Sequence, residues 1–136
     1  MRILGKLKQS GEFWLVTIPI LDTGTQGYSR DDALDMAKDL VECFFEPEDG
    51  FEATVTPVNK TTFYLRSNNT ALLIGLILKR RRQQSGLSLA DVAERLGATS
   101  RNAYARYEQG LTVPSVEKLS ELIQAVSPDK DLTISV

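Results

Sequence analysis

The stretch LSLADVAERLGATSRNAYARYEQG, residues 87–110, decides how the rest of the chain is read. Its apolar positions Leu89, Val92, Ala93 and Leu96 recur at helical spacing. Gly97 follows as a helix-ending residue, and a second helical pattern starts at Ser100. The spacing predicts two short helices joined by a tight turn. In the second, Tyr104 and Tyr107 stand three residues apart and are read as core. That leaves Ser100, Arg101, Asn102, Ala105 and Arg106 facing outward. Arg and Asn are the side-chain types that bond in pairs to guanine and adenine edges in the DNA major groove.

Two helices in this order, with the second exposing groove-reading side chains, make a helix-turn-helix. The residues resemble the Cro/repressor-like helix-turn-helix family, above all in Leu96-Gly97 before the turn and in Arg106-Tyr107-Glu108-Gln109-Gly110 at the close of the second helix. The turn Gly97-Ala98-Thr99 holds one residue more before Ser100 than the commonest family pattern. The expected DNA-contacting set is Ser88, Ser100, Arg101, Asn102, Arg106, Gln109 and Lys79. The resemblance also aligns Arg82 with a position that pairs with Glu108, which makes these two a structural ion pair. For the run Lys79-Arg80-Arg81-Arg82 as a whole, two readings stand: a solvated helix end that stabilises its own dipole, and phosphate contact.

The 136 residues carry a net charge of −2, with 42% hydrophobic and 25% charged residues, as in ordinary globular proteins. That balance hides an asymmetry. Residues 1–70 hold seven Lys/Arg against eleven Asp/Glu, and residues 71–136 hold nine against seven. Between 79 and 106 there are seven basic residues and two acidic ones, a local positive patch suited to nucleic acid. With no histidine and one cysteine, this sequence cannot build a Ser-His-Asp triad, an HExxH zinc site or a cysteine-rich zinc cluster. Cys43 allows no internal disulfide and is expected to be buried or half-buried in a helix. The longest apolar run, Ala71–Leu78, is too short to span a bilayer, and Met1 opens no signal-peptide pattern. A cytoplasmic protein is expected.

Ahead of the basic half, residues 2–8 alternate Ile3, Gly5 and Leu7 with polar neighbours, and Ser10-Gly11 supplies turn chemistry. Phe13–Ile20 reads as a second strand, ended or edged by Pro19, and Thr25–Tyr28 as a third. Ser29 with Asp32 forms a capping signal for a helix over 30–45. Its face Ala33, Ala37, Leu40, Val41 and Phe44 would cover the sheet. Asp31, Asp32 and Asp35 suit the positive end of that helix, which accounts for them without converging metal ligands. Phe51–Val58 and Thr62–Arg66 complete a βββαββ order, with Phe63 and Leu65 facing one way.

This half resembles the HicB-type antitoxins, through Trp14-x-Val16-x-x-Pro19 and Thr25-x-Gly27-x-Ser29-x-x-Asp32-Ala33. Many members carry Asp-Leu-Pro-Gly-Cys after the second strand, where this chain has Ile20-Leu21-Asp22-Thr23-Gly24. The resemblance implies a partial ribonuclease-H-like domain over 1–67 that covers a small basic ribonuclease toxin (HicA-like). The chain would then be no enzyme and would need no cofactor or metal. An acidic domain is suited to cover a cationic RNA-binding partner.

Residues 68–70 read as a linker to an all-α helix-turn-helix domain over 71–136. Thr70 is placed to cap the helix that starts at Ala71. Leu72, Leu73, Leu76 and Ile77 exceed what a small bundle needs from one helix, and are expected to pack on the other domain or on a second subunit. Pro114-Ser115 starts a last helix with Val116, Leu119, Leu122 and Ile123 on one face. Leu132–Val136 alternates as a strand would, and a lone strand needs a partner. The fold expected is α+β. The partners expected are operator double-stranded DNA, the toxin and a homodimer or higher even-numbered oligomer, with no membrane. The alternative is a stand-alone transcriptional regulator whose N-terminal domain oligomerises or senses a ligand.

Overall fold

The computed structural model describes residues 1–98 and 101–136. The chain is α+β and divides into two compact units, Met1–Asn69 and Thr70–Val136. The first unit runs β1 (Ile3–Ser10), β2 (Phe13–Ile18), a 3-10 turn at Pro19–Leu21, β3 (Thr23–Gly27), α1 (Arg30–Glu42), a second 3-10 turn at Pro47–Asp49, β4 (Ala53–Pro57) and β5 (Thr62–Ser67). The strands form one antiparallel sheet in the order β3-β2-β1-β5-β4. Its two-residue β1–β2 turn needs the positive φ of 60° that Gly11 supplies.

Strand alternation sends Ile3, Leu7, Val16, Ile18, Phe63 and Leu65 to one side, all buried, where the small residues Ala33 and Ala37 of α1 let the helix approach closely. At Gly27 the approach is backbone to backbone: a Cβ there would meet the nitrogen of Ala33 at 2.4 Å. α1 starts where a capping side chain permits. Ser29 Oγ accepts from the amide of Asp32 at 3.0 Å, and Asp32 Oδ2 accepts from the amide of Tyr28 at 2.8 Å. At the other end Glu42 accepts from Lys38 and, at 2.9 Å, from the amide of Ala53, tying the helix to edge strand β4. The Lys38 hydrogen bond, and then the Ala53 amide, hold the Glu42 carboxyl below the usual range.

The structure corrects several boundaries. α1 ends at Glu42, not Phe45, because the chain tightens: the amides of Phe44 and Phe45 reach back only three residues, to Val41 and Glu42. That turn lifts Phe44 off the sheet face and leaves Cys43 exposed, while Phe45 stacks on Phe51 at 4.0 Å between ring centroids. β2 stops at Ile18, since Pro19 opens a 3-10 turn, and β3 begins two residues earlier than its alternation suggests.

The second unit comprises α2 (Thr70–Gln84), α3 (Leu89–Arg95), α4 (Arg101–Glu108) and α5 (Val116–Val126). Ile74, Leu78, Val92, Tyr104, Leu122, Ala125 and Val126 form its core, ringed by the partly buried Leu87, Leu89, Leu96, Tyr107, Leu119 and Ile123. Leu73, Leu76 and Ile77 are buried too, and Leu72 is half-buried. Val116, 63% exposed, is not part of the inner face of α5, because it is the first helical residue and precedes the packed turn. Residues 132–136 form no strand within the chain, and Ile134 stands exposed, since no other strand lies among the described residues of this unit. Among the described residues, no helix is long and apolar enough to cross a membrane.

The tightest side-chain fit in the sheet gives a test. A Cβ on Gly5 would fall 2.0 Å from the ring of Phe63, its cross-strand partner, which is fully buried and has no space to retreat into. Gly5→Ala is expected to destabilise the N-terminal unit by about 1–3 kcal/mol, the range for overpacked cores. Urea unfolding would show this as a lowered midpoint. Adding Phe63→Leu to Gly5→Ala should recover part of the loss.

Candidate nucleic-acid interface

The C-terminal unit is built around two short helices whose ends are set by local chemistry. α3 begins at a reciprocal capping box: Ser88 Oγ accepts from the amide of Asp91 at 3.0 Å, and Asp91 Oδ2 accepts from the amide of Ser88 at 2.8 Å. The Ser88 amide, and then its hydroxyl, hold the Asp91 carboxyl below its ordinary range. α3 ends in a left-handed residue, Gly97, at φ 69°. α4 follows and closes at Gly110, also left-handed, at φ 70°.

Tyr104 anchors α4 with 1% of its surface exposed. Its hydroxyl donates to Glu108 Oε1 at 2.7 Å. Burial, and then that contact, push the phenol far above its ordinary pKa. Arg82, from the last turn of α2, meets the same carboxylate: Nε donates to Oε1 at 2.6 Å and Nη2 to Oε2 at 3.1 Å. Arg82 Nη1 donates to the carbonyl of Leu87 at 3.0 Å, so one guanidinium fixes α4 and the α2–α3 connection together. The Glu108 contact raises the Arg82 pKa further. Side-chain exposures of 14% for Arg82 and 8% for Glu108 make this a shielded pair in fork geometry.

Backbone approach also sets the position of α4. A Cβ on Gly75 of α2 would lie 2.5 Å from the carbonyl oxygen of Glu108 and 2.8 Å from that of Tyr107. Only a glycine lets α2 and the end of α4 cross so closely. Gly75 inside an apolar helical run is the sequence signal for this crossing. The Tyr104 hydroxyl contact is likewise legible as an i, i+4 pair.

With Tyr104 inward, 100° per residue places Asn102 and Arg106 on the opposite side of α4, at i and i+4, and Gln109 follows directly after the last helical residue. All three are exposed, as is Arg101 at the first turn. Ala105 is half-buried and so is not part of the outward set. Lys79 is exposed on α2, and Ser88 is exposed at the start of α3 with its oxygen engaged in the cap. Ser100 lies outside the described residues. Arg81 donates to Ser127 Oγ at 3.2 Å, Arg95 to the carbonyl of Ala125 at 3.2 Å, and Ser85 to that of Val126 at 2.6 Å. Arg81 and Arg95 thus face the carbonyl end of α5, whose partial negative charge they offset.

A family model described as Helix-turn-helix matches residues 78–126, from the last turns of α2 to the end of α5. The C-terminal unit is a helix-turn-helix domain, the class that binds DNA in transcription regulation. No curated protein matches the chain.

Removing one partner of the shielded pair leaves the other charge uncompensated. Arg82→Met should therefore cost about 3–5 kcal/mol. Thermal melting of the full chain followed by circular dichroism would show the helical signal lost at a lower temperature. Arg101→Ala, at an exposed position, should move the melt far less.

Proposed function

We propose that this protein is a HicB-type antitoxin. Its C-terminal unit binds operator DNA and represses its own operon, and its N-terminal unit, of partial ribonuclease-H-like type, neutralises a small basic ribonuclease toxin. The observation that carries this reading is the joining, in one chain, of a helix-turn-helix domain to a βββαββ unit whose single helix turns Asp31, Asp35 and Asp39 to solvent at i, i+4 and i+8. Such an acidic ridge is complementary to a cationic RNA-binding surface and would steer its approach. The unit acts by covering its partner, without catalysis of its own. In this reading Asp31 and Asp32 serve the start of α1.

Arg101, Asn102, Arg106 and Gln109 read bases or the adjoining backbone, with Ser88, Ser100 and Lys79 on phosphates and the Arg82–Glu108 pair holding the reading helix in place. Two such units read paired half-sites about 34–36 Å apart, so the chain works as a homodimer or a higher even-numbered oligomer. The exposed apolar residues Val113 and Val116 at the start of α5 suit a contact between copies.

Gel-shift titrations on cognate and scrambled operator, run beside an RNA-cleavage assay with the toxin, test the division of labour. Arg101→Ala and Asn102→Ala should each weaken cognate binding by about 1–3 kcal/mol per half-site and relax preference at one base. Lys79→Ala should weaken all DNA alike and lower the salt slope by about one. Toxin neutralisation should survive all three. Arg101→Ala binding both DNAs like wild type, or losing neutralisation instead, would refute this assignment. Failure of a small basic protein to copurify with the chain from its native host would reject the antitoxin role.

A further inference from the structure

The carboxylates of the N-terminal unit are kept off the outward strand positions of its sheet. α1 packs on one side of the sheet, and the other side carries the outward strand positions. Register places Lys6 opposite Thr17 and Lys8 opposite Leu15, with Arg66 opposite Thr54, and all three cations are exposed. Arg2, just ahead of β1, shares their side by alternation and lies over the ring of Tyr64 at 3.8 Å from its centroid. No outward strand position on this side is acidic, although the unit as a whole is. The carboxylates sit on α1 and in the connections.

Aromatic surface accompanies the cations. Tyr28, at the end of β3, is 81% exposed and packs against Phe13 at 5.5 Å between centroids. The Arg2 guanidinium carbon lies over the Tyr64 ring in the middle of the sheet. Arg2, Lys6 and Lys8, with the exposed Leu4 between the first two, span about 20 Å at about 3.4 Å per residue, a spacing suited to a polyanionic backbone. Flat aromatic and guanidinium groups beside it suit unpaired bases, which stack on both.

We infer that the uncovered face of the N-terminal sheet binds single-stranded nucleic acid, with Arg2, Lys6, Lys8 and Arg66 on phosphates and Tyr28 and the Arg2–Tyr64 pair against bases. This face shares no residue with the acidic ridge of α1 or with the helix-turn-helix, so the inference does not rest on the antitoxin reading.

The test is fluorescence anisotropy of the full chain with a labelled 12-nucleotide single-stranded RNA, competed with unlabelled RNA or polyglutamate. Wild type should bind with a slope of log affinity against log salt of roughly −2 to −3, as four phosphate contacts on a single strand predict. The triple variant Lys6→Glu/Lys8→Glu/Arg66→Glu should lose at least tenfold in RNA affinity and keep its affinity for duplex DNA. Arg101→Ala/Arg106→Ala should do the reverse. Should the triple variant fail to fold by circular dichroism, Lys6→Gln and Lys8→Gln, each removing one charge at an exposed position, carry the test with about threefold losses apiece. Tyr28→Ala should weaken RNA binding severalfold without changing the salt slope. RNA affinity unchanged by loss of the sheet cations, or abolished by the α4 variant, overturns the inference. So does polyglutamate competing as well as RNA with no effect of Tyr28→Ala, which would assign the face to an acidic protein.

Discussion

A carboxylate with 8% side-chain exposure at the end of a helix is tolerable only when donors converge on it, and Glu108 has three: two guanidinium nitrogens of Arg82 and the hydroxyl of Tyr104. Because those donors come from α2 and from within α4, satisfying one charge fixes the relative placement of two helices. The third nitrogen of Arg82 reaches Leu87 and brings the start of α3 into the same arrangement. Apolar packing around Leu78, Val92 and Leu122 supplies cohesion but little direction. The ion pair supplies the direction, since a fork-to-fork geometry has one good orientation.

The N-terminal unit reaches its order by different means. Small residues do the positioning there: Gly5 opposite Phe63, Gly27 against Ala33, and Ala33 and Ala37 along the helix face. A large ring beside a missing side chain is a knob in a hole, and that fit selects one strand register from those that alternation alone would allow. The result is a sheet with one dry side and one wet side, and a helix whose own outer side is acidic.

Much of this was legible in the residues. Period-2 alternation in Ile3-Gly5-Leu7 and Phe63-Leu65, the Ser29 and Ser88 caps, and the Leu96-Gly97 stop each report a local rule that the structure obeys. What was not legible depends on non-local geometry. The early end of α1 comes from a tightening at Phe44 that places Phe45 on Phe51, a contact between residues six apart that belongs to neither helical nor strand register. Cys43 follows that turn into solvent. Val116 satisfies the periodicity of α5 yet lies before its packed turn, since periodicity marks a face without marking where along it burial starts. In the candidate interface, helical periodicity was enough to turn Asn102 and Arg106 outward, but not to show that Ala105, on the same expected face, is half-buried.

The close crossing at Gly75 bears on how a module of this kind can change. Where α2 meets the end of α4 there is main chain on both sides and no side chain to vary, so the tilt of α4 cannot be retuned by repacking that contact. Most single substitutions of Gly75 would push the helices apart and unseat α4 as a whole. Divergence of this module must then run through the exposed positions of α4, exchanging side chains on a helix whose pose is inherited intact.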